Sequence, residues 1–544
     1  MIIKRFLLTF VIIITPLALA HGAVDESVVV SPSKIEITAN PGETARREFI
    51  VTNKTDENLN LTLRFENLAA AAYPLDGAIL AEDKTPIFPL TLYLSASERS
   101  FTLSSKGRVT VPVIIDLPKN VSPGGYYSAA VLSITSAKGG DIGTRVVTRL
   151  APLIFLRVAG PVTEAGTLLD FTLIGSRFHF SAKPPIFYLT YQNTGAVYLN
   201  PYGLIKNKNQ ITGRQSDLAV DPWFVLPGTT RIREIKAPET LASGWYQATL
   251  SLNHGYGSST SERLINFVVI TPLVLVMTGL VLLVGLFIII RRLITMGRSG
   301  KILLTFLTIM TIASLAPKVW AAVAASTNYR LQDDSLSFGG ILSSSANYKL
   351  EDTAGGIGTG NLSSTNYSLL AGYQQMIAST ISITAPADAT LSTIDNSGTS
   401  NSSVAWTVIT DNSAGYTLSI KASTNPALTS GSNSFSDYAP SGAVPDYTWS
   451  IAASGSAFGF SPEGADIASR YLNSGTTCGV GATDTTDQCW DGLSTTDRTI
   501  AQNSSANTPG GAATTVKLRA EIGSSKTQAT GSYSTTLTAT AMPR

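Results

Sequence analysis

Leu59-Asn60-Leu61-Thr62-Leu63-Arg64-Phe65 puts an apolar side chain at every second position. An extended strand, whose side chains alternate between two faces, gathers such a run onto one side. The same period of two returns in Lys34-Ile35-Glu36-Ile37 and in Glu48-Phe49-Ile50-Val51. Turn residues at Asn40-Pro41-Gly42, Pro123-Gly124-Gly125 and Gly139-Gly140 divide the runs. Many short, half-buried strands at close spacing predict a β-sandwich with Greek-key links over residues 24–160. Residues 161–267 repeat the pattern. Phe187-Tyr188-Leu189-Thr190-Tyr191 is a strand candidate, and Gly244-Trp245-Tyr246-Gln247-Ala248 is a later strand of a second sandwich of immunoglobulin-like type.

A chain of 544 residues is too long for one core and suggests about three or four units. Charged residues make up 14% of it, where about a quarter is usual. Ser, Thr, Asn and Gly carry the polar surface instead, as in many secreted β-rich proteins. The net charge of +2 forms no basic stripe, which argues against a nucleic acid partner. Three histidines (His21, His179 and His254) and two cysteines are too few for a His- or Cys-based metal centre. Asp484, Asp487 and Asp491 lie close in sequence, but their spacing matches no calcium loop, so surface solvation is the expected role. Ser31-Pro32-Ser33-Lys34 fits a Ser-x-x-Lys pattern without its partner motifs, and no nucleophile elbow, zincin or phosphate-loop motif is present. No catalytic residue, metal site or cofactor is therefore expected, and the chain is not expected to be an enzyme.

Four features bear on export. Lys4 and Arg5, the apolar run Phe6 to Ile14 and the small-residue site ending at Ala20 predict a signal peptide over 1–20. A second apolar stretch predicts a transmembrane helix over 268–290. Arg291, Arg292, Arg298 and Lys301 make 291–301 a basic cytoplasmic loop by the positive-inside rule. Residues 302–324 then form a second signal-like or transmembrane segment, with a small-residue cleavage site at Ala324. The chain is either a natural precursor cut near Ala324 or two adjacent genes read as one. Either way the expected location is the cell membrane, with both large parts outside the cytoplasm and the C-terminal part open to release. The fourth feature is that the C-terminal stretch carries no wall-sorting sequence of the LPxTG type.

Residues 325–376 contain a repeat. Asn-Tyr pairs place Tyr329, Tyr348 and Tyr367 nineteen residues apart, which implies one structural unit per copy and a β-repeat stalk. Residues 377–544 read as a further β-sandwich, with strands such as Val404-Ala405-Trp406-Thr407-Val408 and Tyr416-Thr417-Leu418-Ser419-Ile420. In an exported part, Cys478 and Cys489 are expected to form a disulfide.

Ser31-Pro32-Ser33-Lys34-Ile35, Asn40-Pro41-Gly42-Glu43-Thr44 and Pro123-Gly124-Gly125-Tyr126-Tyr127 together resemble the WxL-interacting surface proteins. That resemblance implies a peptidoglycan-binding immunoglobulin-like domain first and a partner-binding sandwich second. The Thr-rich strand after Gly531-Ser532-Tyr533 resembles WxL-type surface domains, with Trp406-Thr407-Val408 where a Trp-x-Leu would stand. The expected fold is thus mainly β: tandem immunoglobulin-like β-sandwiches, a hydrophobic helical hairpin in the middle, a β-repeat stalk and a further β-sandwich. The expected function is an envelope binding or scaffold protein whose partners are the membrane and either cell wall peptidoglycan or surface proteins. The alternatives are a self-associating surface-layer component and a wall-polymer hydrolase. No ligand-binding residue is assigned.

Overall fold

The computed structural model describes residues 28–71, 78–81, 88–135, 143–175, 177–179, 184–237, 241–257, 259–294, 342–344, 349–351, 360–363, 368–371 and 379–544. The chain is mainly β. Leu59–Ala70 is one strand, and its alternation buries Leu59, Leu61 and Leu63 while Asn60 and Arg64 face out. Burying each leucine contributes about 1.5–3 kcal/mol, so the alternation itself dictates which face turns inward.

The N-terminal and C-terminal halves do not fold as separate beads. One nine-stranded sheet begins in the C-terminal half with Ser436–Asp437, Ser456–Gly464, Ala512–Ile522, Gly398–Thr410 and Ile381–Ile383. It continues into the N-terminal half through Val28–Ser31, Thr44–Asn53, Arg108–Asp116 and Leu94–Ala96. The second large sheet does the same. Its main path runs Lys34–Ala39, Leu153–Val158, Gly124–Thr135, Gly143–Leu150, then Ser534–Pro543, Tyr416–Ala422 and Arg498–Asn503. A single hydrophobic core lies between these sheets, holding Val30, Phe49 and Val113 from one half with Trp406, Leu418 and Leu537 from the other.

Residues 166–269 form a sandwich of their own. A three-stranded sheet (Gly166–Leu173, Ile186–Asn193, Thr230–Lys236) faces a five-stranded sheet (Phe178–His179, Thr260–Val269, Gly244–Asn253, Tyr202–Asn209, Gln215–Val220). Phe187, Leu189, Ile205 and Leu250 fill its core. His254 is buried there, with Nδ1 2.9 Å from the Tyr191 hydroxyl and Nε2 2.8 Å from the Ser261 hydroxyl.

The middle of the chain corrects the sequence reading. The apolar run expected to form one membrane span over 268–290 is divided: Val268 and Val269 end a sandwich strand, and Val269 is buried in its core. The helix that follows, Pro272–Ile294, starts later and takes in Arg291 and Arg292 instead of ending at them. Among the described residues no helix is long and apolar enough to cross a membrane. The transmembrane anchor at 268–290, the helical hairpin and the membrane location are corrected on that finding. The second arm of the expected hairpin, 302–324, lies outside the described residues. Within 325–376 the described strands pair as two short hairpins, Leu342–Ser344 with Lys349–Glu351 and Gly360–Ser363 with Ser368–Ala371.

Candidate functional site: a strand shared between the two halves

Gly143–Leu150 is the strand that joins the halves. Among the described residues its last three pair with its neighbour in the N-terminal half: Thr148, Arg149 and Leu150 oppose Ile134, Ser133 and Leu132. On its other edge all eight residues run parallel to the terminal strand, from Gly143 opposite Ser534 to Leu150 opposite Ala541. The Ala151 N–H extends the contact by donating to the Ala541 carbonyl at 2.9 Å. The strand thus lies in the sheet of its own half and runs along its whole length beside a strand of the other.

The terminal strand, Ser534–Pro543, lies between this bridging strand and the antiparallel Tyr416–Ala422. Without the bridging strand it would be an open edge, with one row of backbone N–H and C=O groups unpaired. The strand is also buried on both faces. Leu537, Ala539 and Ala541 point to the large core, and Thr538, Thr540 and Met542 are covered on the other side. From the bridging strand, Thr144, Val146, Thr148 and Leu150 face inward, each at most 9% exposed.

Side chains fix this register. The Trp406 indole N–H donates to the Thr148 hydroxyl at 3.0 Å, and both residues are buried. The Val146 N–H donates to the Asp388 carboxylate at 2.8 Å, while Thr144 and Ala389 exchange backbone hydrogen bonds. A second seam runs along the other sheet, where Val28, Val29 and Val30 pair antiparallel with Ile383, Ser382 and Ile381. The Ser33 N–H donates to the Ser379 carbonyl at 2.6 Å.

Met542 packs into an aromatic cluster between the two N-terminal sandwiches, made by Tyr127, Phe155, Phe224 and Leu226. Phe155 meets Tyr127 edge-on at 5.2 Å and Phe224 at 5.0 Å. The Tyr198 N–H donates to the Tyr127 hydroxyl at 2.6 Å, tying one sandwich to the other. Beside the cluster the Lys34 ammonium lies 2.6 Å from Glu36 and 5.6 Å from the Phe155 ring centre. Burial pushes the Glu36 carboxyl up, but the Lys34 charge, with hydrogen bonds from Tyr198 and Asn200, holds it below its ordinary value.

A third contact comes from the second sandwich. Arg233 donates from Nη1 to the Ala414 carbonyl at 3.0 Å and from Nη2 to the Ser413 carbonyl at 2.9 Å. These carbonyls belong to the turn Asn412–Gly415, where the Asn412 side chain accepts from the Ala414 N–H and donates to the Gly415 carbonyl. Gly415 has φ +82, and an added Cβ would lie 2.0 Å from the Asn503 carbonyl oxygen, so the turn requires glycine.

The residues singled out in the sequence lie elsewhere. Cys478 and Cys489 are joined in a buried disulfide with Cα atoms 5.7 Å apart. Ala20, Ala324, Arg298, Lys301, Tyr329, Tyr348 and Tyr367 lie outside the described residues. Arg291 and Arg292 fall in the last part of the helix Pro272–Ile294. The three aspartates separate: Asp491 is buried between Arg470 at 3.1 Å and Arg498 at 2.6 Å, whereas Asp484 accepts from the Gly464 N–H. Among the described residues no three metal-ligating side chains meet.

Thr148, Met542 and Arg233 escaped the sequence reading, and Trp406 was read for a different role. A signal existed for Arg233. Along Thr230-Arg231-Ile232-Arg233-Glu234-Ile235-Lys236 it stands in phase with Arg231 and Ile235, and the strand buries all three. A buried guanidinium in an alternating strand needs partners from elsewhere.

No family model matches the chain, and no curated protein matches it. Solved structures similar to it include a class 5 fimbriae chaperone, CfaA, at 12% identity, covering 45% of this chain and 99% of that one with a TM-score of 0.24. The YadV chaperone is 10% identical, covering 44% of this chain and 100% of that one, also at 0.24. The E. coli chaperone DraB is 13% identical, covering 44% and 96% at 0.22. At these identities the likeness concerns the fold alone, and at these TM-scores it says nothing of function. The expected resemblance to WxL-interacting and WxL-type surface proteins is corrected: no family model or curated protein supports it, and the similar structures named above are chaperones. Trp406, which stood for the Trp-x-Leu signature, is a core residue bonded to the other half of the chain. Peptidoglycan binding, which rested on that resemblance, is withdrawn with it.

Proposed function

We propose that residues 28–269, the two N-terminal sandwiches, act as a built-in chaperone that donates a strand to the β module at 379–544. The single observation behind this is the eight-residue parallel ladder between Gly143–Leu150 and Ser534–Pro543. A strand of the first sandwich that pairs over eight residues with the terminal strand of the β module is placed to complete that module. Lending it covers an edge that would otherwise invite aggregation. The β module is the partner, a protein surface rather than a small molecule, and the activity is binding rather than catalysis. A cut near Ala324 would leave the two halves held by the ladder, by the Val28–Ile383 seam and by the shared core.

The test is to replace Gly143–Val147 with a Gly/Ser segment of equal length and digest the folded chain with trypsin. Lys517 and Arg519 lie within a strand of the β module, and Arg46 and Arg64 within strands of the first sandwich. Strand donation requires Lys517 and Arg519 to become cleavable while Arg46 and Arg64 stay protected. Adding a synthetic peptide of residues 143–151 should restore protection. Continued resistance of the altered chain at Lys517 and Arg519 would remove the basis of the proposal.

A further inference from the structure

The turn Asn412–Gly415 sits at a corner. It leaves Gly398–Thr410, in the nine-stranded sheet, and enters Tyr416–Ala422, in the other large sheet. It therefore takes its final shape only when the two sheets of the β module have closed on each other. The Asn412 amide also donates to the Arg544 carbonyl at 3.0 Å, and the Arg544 N–H donates to the Gly415 carbonyl at 3.1 Å. The corner thus registers that the terminal strand is seated as well.

Arg233 reads this corner from the second sandwich, which supplies no strand to either shared sheet. Its guanidinium is buried, and its two hydrogen bonds go to adjacent carbonyls, a pairing for which a planar fork is preorganised and a flexible ammonium is not. Ala414 is 2% exposed and packs into the apolar core of the second sandwich, so the corner also inserts a small apolar side chain there. Burial and the neighbouring Arg544 charge pull Arg233 down to about 10, so it still carries its charge at neutral pH. A buried charge facing adjacent carbonyls is strongly selective, because any partner without them leaves it unsatisfied.

We propose that Arg233 and the surrounding face of the second sandwich form a latch that recognises a closed β-sandwich module by its cross-sheet corner. The partner it fits presents an Asx turn with two outward carbonyls followed by glycine and a small residue at the position of Ala414. This rests on the strand-donation reading and adds to it. The first sandwich completes the β module, and the second checks that completion has occurred.

The experiment uses the full chain with a protease recognition sequence inserted after Gly356, cut once after folding. The release rate of the C-terminal fragment from the immobilised N-terminal fragment is then measured. Arg233→Ala should speed release at least tenfold, and Arg233→Lys, which keeps the charge but not the rigid fork, should fall between it and the unaltered protein. Ala414→Trp changes the other side of the contact and should match Arg233→Ala; it decides the matter if Arg233→Ala fails to fold. Val146→Asp reports on the donated strand separately. Release within twofold of the unaltered rate for both Arg233→Ala and Ala414→Trp overturns the latch. If Val146→Asp still releases quickly in that case, strand donation stands without the latch. If Val146→Asp releases slowly while Arg233→Ala releases quickly, the latch stands and strand donation falls.

Discussion

Replacing Thr148 by valine removes one hydroxyl from the seam between the halves and almost nothing else. The residue is 2% exposed, and the hydroxyl accepts the indole N–H of Trp406, itself fully buried, at 3.0 Å. Valine keeps the branched shape, so no cavity opens. The indole N–H, however, is left in an apolar interior without an acceptor, which costs about 1–3 kcal/mol. The new methyl group offsets up to about 0.8 kcal/mol of this. The net loss of about 1–2 kcal/mol should weaken the association of the cut halves by about 5–30-fold. Thr148→Ser, which retains the hydroxyl, should stay much closer to the unaltered affinity. Trp406→Phe removes the donor and ring volume together and should cost more than Thr148→Val alone. In the Trp406→Phe background Thr148→Val should cost about 1 kcal/mol less than it does by itself, because no N–H is then left to strand. The dissociation constant of the cut halves, measured by titration for all four members of the cycle, provides the check. Costs that simply add, or a Thr148→Val affinity within twofold of the original, would refute the assignment of this bond as a support of the seam.

Three further outcomes follow from single sites. Replacing Cys478 and Cys489 with serine opens a link between residues 11 apart and should lower the stability of the β module by about 2–3 kcal/mol, read as a lower melting temperature by calorimetry. Burial holds the His254 imidazole below its ordinary value of 6.5, so the unfolded chain takes up a proton that the folded sandwich refuses. The stability present above pH 6.5 is therefore lost as pH falls, and the melting temperature of residues 166–269 should drop between pH 7 and 5, with His254→Gln flattening that slope. Gly415→Ala forces a Cβ to within 2.0 Å of the Asn503 carbonyl oxygen at a left-handed φ, and should destabilise the β module by more than the roughly 1–3 kcal/mol of backbone strain alone; urea unfolding of the chain would show it.

Local alternation made the strands legible. Leu59 to Phe65 names its own buried face, because a period of two can be read within seven residues. The sandwich class follows from many such runs. The joining of the halves could not be read in the same way. Gly143-Thr144-Arg145-Val146-Val147-Thr148-Arg149-Leu150 looks like any half-buried strand, and its partner stands almost four hundred residues away. Parallel pairing across such a distance leaves no turn signal in the sequence. The apolar run at 267–290 misled for a related reason. Composition cannot tell the end of a buried strand from the start of a helix, and Val268 and Val269 belong to the strand. Trp406 was noticed for the wrong role, since a tryptophan in an alternating strand gives no hint of whose core it fills.

Register carries the strongest remaining consequence. Thr148, Arg149 and Leu150 are held by Ile134, Ser133 and Leu132, and the Ala151 N–H by the Ala541 carbonyl, so the far end of the bridging strand cannot slide. Deleting Val147 must therefore shift the near end by one residue. Every side chain before the deletion then changes face, and Arg145 takes the inward place of Val146. An arginine there would be forced into the large core beside Leu537, a larger penalty than the loss of a single hydrogen bond in the seam. Deleting Gly140, which precedes the strand, leaves the register untouched. The same one-residue shortening should thus abolish protection of Lys517 and Arg519 against trypsin at position 147 and spare it at position 140. If the two deletions behaved alike, the bridging strand would be held by something other than its inward side chains. The ladder would then be a consequence of the shared core, not the means by which one half completes the other.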